Sequence, residues 1–144
     1  MTRAIMNGCN GKMGQCITGI CAQDPDIEIV AGIDKYTGVK NEYPVFTDIA
    51  DCDVEADVVI DFSNALAVDG LLSYCGEKKL PVVLCTTGLS EEQLAQVQCV
   101  SEKTAVLKSA NMSLGINMLL KLLQDAAKIL APAGFDIELV EKHH

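Results

Sequence analysis

The sequence predicts an α/β protein with a doubly wound parallel sheet. Short runs rich in Val, Ile and Leu alternate along the chain with segments of helical pattern, and a glycine-spaced turn follows the first apolar run. Parallel neighbours need crossover helices, so repeated strand–helix units of this length indicate a parallel sheet. The predicted strands cover residues 4–6, 27–33, 57–62, 81–85 and 105–107.

Three glycines follow the first predicted strand at intervals of three residues: Gly8, Gly11 and Gly14. In a Rossmann-like unit, the first glycine permits a sharp turn, the second allows a pyrophosphate to approach, and the third lets the helix pack closely on its strand. The helix N-terminus then offers N–H groups and a positive dipole end to phosphates. An ordinary glycine turn is the alternative, because the usual spacing is G-x-G-x-x-G.

The second strand ends at Asp34, twenty residues after Gly14. A carboxylate at this place can accept hydrogen bonds from the adenosine ribose and repels the 2′-phosphate of NADP. Lys35 follows directly and would attract that phosphate. The pair therefore predicts use of NADH with some tolerance of NADPH; a solvated charge pair at a strand end is the alternative.

The remaining elements follow from local signals. Residues 35–56 read as a loop with a short extended piece at 45–46. A helix over 64–76 has Ser63 or Asn64 as its cap, and the capping box that begins at Ser90 opens a helix to about residue 102. A last helix over 116–130 is apolar around most of its circumference. A strand-like run covers 135–140.

Three loops follow the carboxyl ends of the predicted strands, at residues 61–63, 85–88 and 109–115. Ligands bind at this edge of such sheets. The small and hydroxylated residues in these loops leave room for a nicotinamide and can bond its carboxamide. Together the loops are expected to line one crevice.

Composition excludes several classes. The 144 residues suffice for one domain, or one domain and part of another, and 49% are hydrophobic. A net charge of −9 argues against nucleic acid or an anionic membrane as a partner. No signal peptide or membrane span is evident, and the seven scattered cysteines fit neither a zinc site nor a disulfide framework. We expect reduced thiols, no metal and a cytoplasmic location.

Several motifs occur in a distinctive order: the glycine loop ending in Lys-Met-Gly, Asp-Phe-Ser, Thr-Thr-Gly, Ala-Asn-x-Ser-x-Gly, and a terminal Glu-Lys-His-His. This order closely resembles the dihydrodipicolinate reductase (4-hydroxy-tetrahydrodipicolinate reductase) family. The resemblance implies NAD(P)H-dependent reduction of a cyclic dicarboxylate imine in diaminopimelate and lysine biosynthesis by a cytoplasmic homotetramer. It also implies a dinucleotide-binding domain over 1–112 and the start of a truncated α+β substrate domain over 113–144.

The resemblance also assigns roles to residues. His143 would be the general acid that protonates the substrate as hydride arrives, and His144 would contact the substrate; an imidazole suits proton delivery near neutral pH. The implied cofactor contacts are Gly8, Asn10, Gly11, Lys12, Met13, Asp34, Lys35, Phe62, Ser63, Thr86, Thr87, Gly88, Ala110, Asn111 and Met112.

The family's signature looks like E-x-H-H-x-x-K-x-D-x-P-S-G-T, and here Glu141, His143 and His144 match its start. The lysine and the Ser-Gly-Thr segment that would hold the substrate are not in this sequence. We therefore expect a cofactor-binding piece of the enzyme that is inactive alone. The alternatives are a non-catalytic dinucleotide-binding module, or the nucleotide domain of a homoserine or aspartate-semialdehyde dehydrogenase, and for the two histidines an idle chain end or the remnant of a tag.

Overall fold

The computed structural model describes residues 1–142 of the chain. The chain divides into two compact units, Met1–Ala110 and Asn111–His144. This division lies close to the boundary expected from the sequence between residues 112 and 113. All strands of the described residues lie in the first unit.

The first unit is built on a six-stranded sheet in the order β3-β2-β1-β4-β5-β6. All five neighbouring pairs are parallel, which confirms the predicted doubly wound α/β fold. From β1 the chain builds the sheet outward through β2 and β3, and it then returns to add β4, β5 and β6 on the other side of β1. The carboxyl ends of β1 and β4 therefore form the topological switch point, where such sheets bind ligands. The strands are β1 Thr2–Asn7, β2 Ile27–Ile33, β3 Val45–Phe46, β4 Val58–Asp61, β5 Val82–Leu84 and β6 Val106–Lys108.

Three α-helices cross between these strands: α1 Lys12–Cys21, α2 Ala65–Lys78 and α3 Glu91–Ser101. The predicted caps are present: the Asn64 side chain accepts a hydrogen bond from the Leu66 N–H at 3.0 Å, and Ser90 forms a reciprocal capping box. A short 3₁₀ helix at Ile49–Asp51 interrupts the long loop that follows β2.

The sheet is buried on both faces, as parallel sheets are. Ile5, Val59 and Val82 lie side by side on neighbouring strands and pack in one cluster with Leu71 and Leu72 of α2. A second cluster contains Ala4 and Met6 of β1 and Ile29 of β2. The central strands are therefore rigid supports for the loops that leave their ends.

The second unit contains α4, Leu114–Leu130, which begins two residues earlier than predicted because the Ser113 hydroxyl caps it. None of the residues of α4 is buried in this chain. The strand predicted over residues 135–140 is wrong, since the structure has neither strand nor helix there. A strand needs a neighbour to bond its backbone groups, and the described part of this unit offers none.

Candidate functional site

A cleft of about 470 Å³ opens at the carboxyl edge of the sheet, beside the switch point between β1 and β4. Its volume lies in the range of small-molecule and cofactor sites. The residues that line it follow β1, β2 and β4, as expected for a ligand site in this fold. Six residues predicted to contact a cofactor line this cleft: Gly8, Gly11, Asp34, Lys35, Phe62 and Ser63.

The glycine turn has no room for side chains at two of its three glycines. Gly8 has a φ of +81°, and a Cβ on it would lie 2.6 Å from the Phe62 carbonyl oxygen. A Cβ on Gly14 would lie 2.2 Å from the Gly8 carbonyl oxygen, so the first turn of α1 lies directly against the loop. These contacts confirm the tight turn and close helix packing inferred from the spacing.

Helix α1 begins immediately after this turn, with Gly11 as its N-cap. Among the described residues, no side chain of the cap bonds the first N–H groups, and no acidic residue lies in the first turn. The first N–H groups of a helix lack intrahelical acceptors, so they can bind an anion. Lys12 and Met13 occupy the first two helical positions and are both exposed.

Asp34 lies at the end of β2 and already binds the glycine loop. Its Oδ2 accepts the Asn10 N–H at 2.9 Å, and its Oδ1 accepts the Tyr36 N–H at 3.0 Å. These bonds hold the carboxylate at the rim of the cleft, where both oxygens keep lone pairs for further donors. Lys35, which is exposed, lines the same rim.

A side-chain network braces the glycine loop from the segment after β2. The Asn41 amide donates to Asn10 Oδ1 at 2.8 Å, and Gln15 Nε2 donates both to Asn41 Oδ1 at 3.1 Å and to the Cys9 carbonyl at 2.9 Å. The Asn10 amide also donates to the Tyr36 carbonyl. Sequence reasoning missed Asn41, because nothing local marks a polar loop residue as the partner of another 31 positions away.

A buried polar cluster at the ends of β1, β4 and β5 was also missed. Asp61 is fully buried and accepts hydrogen bonds from Asn7 Nδ2 at 2.8 Å, Ser63 Oγ at 2.6 Å and Thr86 Oγ1 at 2.6 Å. The cluster joins two predicted contacts, Ser63 and Thr86, to one carboxylate. The sequence feature that could have revealed this cluster is Asp61 itself, an acidic residue at the end of an otherwise apolar strand.

The far wall of the cleft is formed by residues that the sequence did not indicate. Thr47, Asp48 and Ile49 contribute one side, and Ala67 and Gly70 contribute small residues from α2. Ala67 and Gly70 are three positions apart and so share a helix face. Their small size leaves this part of the cleft open.

The other predicted contacts lie outside this cleft. Thr87 and Gly88 are exposed in the loop after β5, and Ala110 ends the first unit. Asn111 and Met112 belong to the second unit, where Asn111 Oδ1 accepts the Ser113 N–H at 2.8 Å. His143 and His144 lie outside the described residues.

The seven cysteines are free thiols, as the sequence indicated. Cys9 lies in the glycine loop but is fully buried, and burial, together with the nearby Asp34 charge, raises its pKa to about 11. The helix N-terminus therefore does not activate it, and Cys9 is a packing residue. Within residues 1–142, no three Cys, His, Asp or Glu side chains cluster as metal ligands, and no helix has the length and hydropathy to cross a membrane.

Comparison with known proteins agrees with this geometry. Residues 2–112 match the family model described as dihydrodipicolinate reductase, N-terminus. The 4-hydroxy-tetrahydrodipicolinate reductase of Clostridium tetani is 51% identical over all 144 residues, and that of Caldanaerobacter subterraneus subsp. tengcongensis is 49% identical. The chain spans 56% of the length of each of these relatives.

A solved structure shares the fold. Dipicolinate-bound dihydrodipicolinate reductase from Paenisporosarcina sp. TG-14 superposes with a TM-score of 0.80 at 25% identity, over 90% of this chain and 54% of that one. The family match covers the whole sheet and the cleft described above. The chain therefore belongs to the dihydrodipicolinate reductase family, whose N-terminal domain it carries.

Proposed function

We propose that this chain binds a nicotinamide dinucleotide in the cleft beside β1 and β4, as the cofactor-binding part of a 4-hydroxy-tetrahydrodipicolinate reductase. The whole enzyme would reduce 4-hydroxy-tetrahydrodipicolinate, via dihydrodipicolinate, to tetrahydrodipicolinate in diaminopimelate and lysine biosynthesis. The observation that carries the proposal is the glycine turn, packed against Phe62 and α1, at the switch point of the sheet. We further propose a cytoplasmic homotetramer, the assembly that the family resemblance implies.

The described residues fit a dinucleotide in three respects. The uncapped N-terminus of α1 offers N–H groups to a pyrophosphate, and Gly11 has no side chain to obstruct it. Asp34 is held at the rim, where it can accept from ribose hydroxyls. The small residues Ala67 and Gly70 leave space for the adenosine half.

When bound, the reduced nicotinamide supplies a hydride. The residues of this chain would orient it: the glycine turn would hold the phosphates, and Ser63, Thr86 and Thr87 are the residues proposed for the nicotinamide side. His143 would donate the proton that the substrate takes up with the hydride, and His144 would contact the substrate. Positioning of this kind can contribute roughly 7–11 kcal/mol to lowering a reaction barrier.

The charges at the rim predict the choice of cofactor. The Asp34 carboxylate favours NADH because it accepts from the free ribose hydroxyls and repels a 2′-phosphate, whereas the adjacent Lys35 ammonium attracts that phosphate. We expect NADH to bind more tightly and NADPH to bind measurably. The Asp34 carboxylate accepts the N–H of Asn10 in the glycine loop and the N–H of Tyr36 after β2, and these bonds hold its charge at the cleft.

Isothermal titration of the chain with each cofactor tests this function. Wild type should bind NADH more tightly than NADPH. Lys35→Met should weaken NADPH several-fold and leave NADH unchanged, which makes NADH the internal control for folding. NADPH that binds at least about tenfold more tightly than NADH, a gap of about 1.4 kcal/mol, would contradict the role of Asp34. Failure of wild type to bind either cofactor would contradict the proposed site.

A dinucleotide-binding module without chemistry is the alternative that shares this cleft. The conjunction of Glu141 with two histidines favours the reductase, because a module without chemistry has no use for a proton donor. Mutation of His143 to Gln separates the two in a full-length relative of this chain. The reductase predicts a loss of turnover with unchanged NADH affinity.

A further inference from the structure

Asp61 is an unexpected residue in its surroundings. One layer deeper in the sheet, Ile5, Val59 and Val82 are neighbours on β1, β4 and β5, and all are buried and apolar. The next layer towards the carboxyl edge pairs Asn7 with Asp61. An apolar residue would continue the core at this place without the cost of burying a carboxylate.

The contacts of Asp61 compensate for its burial and also fix its neighbours. Both carboxylate oxygens accept, Oδ1 from Asn7 Nδ2 and Ser63 Oγ, and Oδ2 from Thr86 Oγ1. Bonds from hydroxyls to a carboxylate at 2.6 Å are short and strong. The side chain therefore ties the ends of three strands to one point.

These bonds also set the polarity of two hydroxyl groups. A hydroxyl has one hydrogen and two lone pairs, and Ser63 and Thr86 both direct that hydrogen at Asp61. Their oxygens lie 3.4 Å apart, a longer contact than the 2.6 Å bonds that each hydroxyl makes to Asp61. Ser63 Oγ also accepts from Asn7 Nδ2 at 3.3 Å, which leaves it one lone pair for a further donor, and Ser63 lines the cleft. Thr86 is buried and does not line it.

We propose that Asp61 is a positioning residue for the nicotinamide half of the cofactor. It holds the Ser63 hydroxyl, which lines the cleft, as a hydrogen-bond acceptor for the N–H₂ group of the nicotinamide carboxamide, and it keeps the neighbouring Thr86 hydroxyl from donating to Ser63. The inference rests on the proposed function, since it presupposes a dinucleotide in the cleft. Asp61 itself is enclosed by its partners and does not touch the cofactor.

The Asp61→Asn variant tests the proposal because it keeps the size and changes the hydrogen-bond polarity. The amide oxygen would keep the bonds from Asn7 and Ser63, so the new N–H₂ group would face Thr86. The Thr86 hydroxyl must then turn its hydrogen away, and Ser63 Oγ is an acceptor 3.4 Å from it. The matched control is Asp57→Asn, the same change just before the other end of β4, where the carboxylate is partly exposed and binds Arg3. Titrations use NADH and ADP-ribose, which lacks the nicotinamide ring and its carboxamide.

The measured quantity is the ratio of the NADH dissociation constant to that of ADP-ribose. A general loss of stability would not change this ratio, because both ligands bind the same folded cleft. We expect Asp61→Asn to raise the ratio at least about fivefold, or about 1 kcal/mol, and Asp57→Asn to leave it unchanged. A smaller rise in Asp61→Asn overturns the proposal.

A second variant covers the case in which Asp61→Asn does not fold. The double change Ser63→Ala with Thr86→Val removes both hydroxyls, including the Ser63 acceptor at the cleft, and keeps the carboxylate. It should raise the same ratio at least about fivefold, and a smaller rise overturns the proposal. If wild type binds both ADP-ribose and NADH but the variants leave the ratio unchanged, the role of Asp61 is refuted and the proposed function stands. Wild type that binds neither ligand refutes the proposed function, and the Asp61 role with it.

Discussion

Replacing Gly14 by Ala should destabilise the first unit, although Ala is the better helix former. The added Cβ would lie 2.2 Å from the Gly8 carbonyl oxygen and 2.6 Å from that of Cys9. Both are backbone atoms, which cannot rotate away as a side chain could, so α1 or the glycine turn must move. Overpacking of this severity costs about 3 kcal/mol, and the helix propensity of Ala returns about 1 kcal/mol, for a net loss of about 2 kcal/mol.

Gly19 provides the control in the same helix. A Cβ at Gly19 meets nothing within 4 Å, so Gly19→Ala should gain up to about 1 kcal/mol from helix propensity alone. Urea denaturation followed by circular dichroism measures both variants. A separation of about 3 kcal/mol is expected, equivalent to roughly 13 °C in Tm for a unit of this size. Two variants that agree within about 1 kcal/mol would refute the close packing of α1 on the glycine turn.

Two further predictions concern ionisable side chains. Burial raises the pKa of Cys9 to about 11, so iodoacetamide at about pH 8 should modify the exposed Cys16 and spare Cys9 in peptide mass mapping; equal labelling would contradict the burial. The Arg3 guanidinium bonds Asp57 at 3.0 Å and holds the pKa of that carboxyl below its ordinary value. Asp57 therefore stabilises the fold above its ordinary pKa, and this contribution is lost as pH falls through the lowered value. Its NMR titration midpoint should rise in Arg3→Met; an unchanged midpoint would exclude the pairing.

Local chemistry accounts for the elements that could be predicted. The strands of the first unit were recognisable from short apolar runs, and the caps at Asn64 and Ser90 from side chains that bond N–H groups two or three residues away. The turn around Gly8 and Gly14 was recognisable because its steric demands fall on residues six positions apart. Such signals need no knowledge of the rest of the chain.

The sequence pattern gave a wrong prediction where the predicted strand has no neighbouring strand to pair with. The alternating run over 135–140 has the pattern of a strand, yet no strand forms there, because strand structure depends on backbone bonds to a second segment. The long apolar helix was predicted correctly in type, but pattern alone put its start at Ile116 rather than at Leu114, after the Ser113 cap. Periodicity reports which residues are apolar, and the cap decides where the helix begins.

The sequence by itself determined the class of sheet, the phosphate-binding turn and most residues around it, since each depends on neighbours along the chain. Only the tertiary structure decided the strand order, the brace between Asn10 and Asn41, and the burial of Asp61 among groups from three strands. Asn7 and Asp61 are 54 residues apart and meet because β1 and β4 pair in register. The physical reason is that hydrogen-bond partners at a sheet edge are selected by strand order and register, which are properties of the folded core.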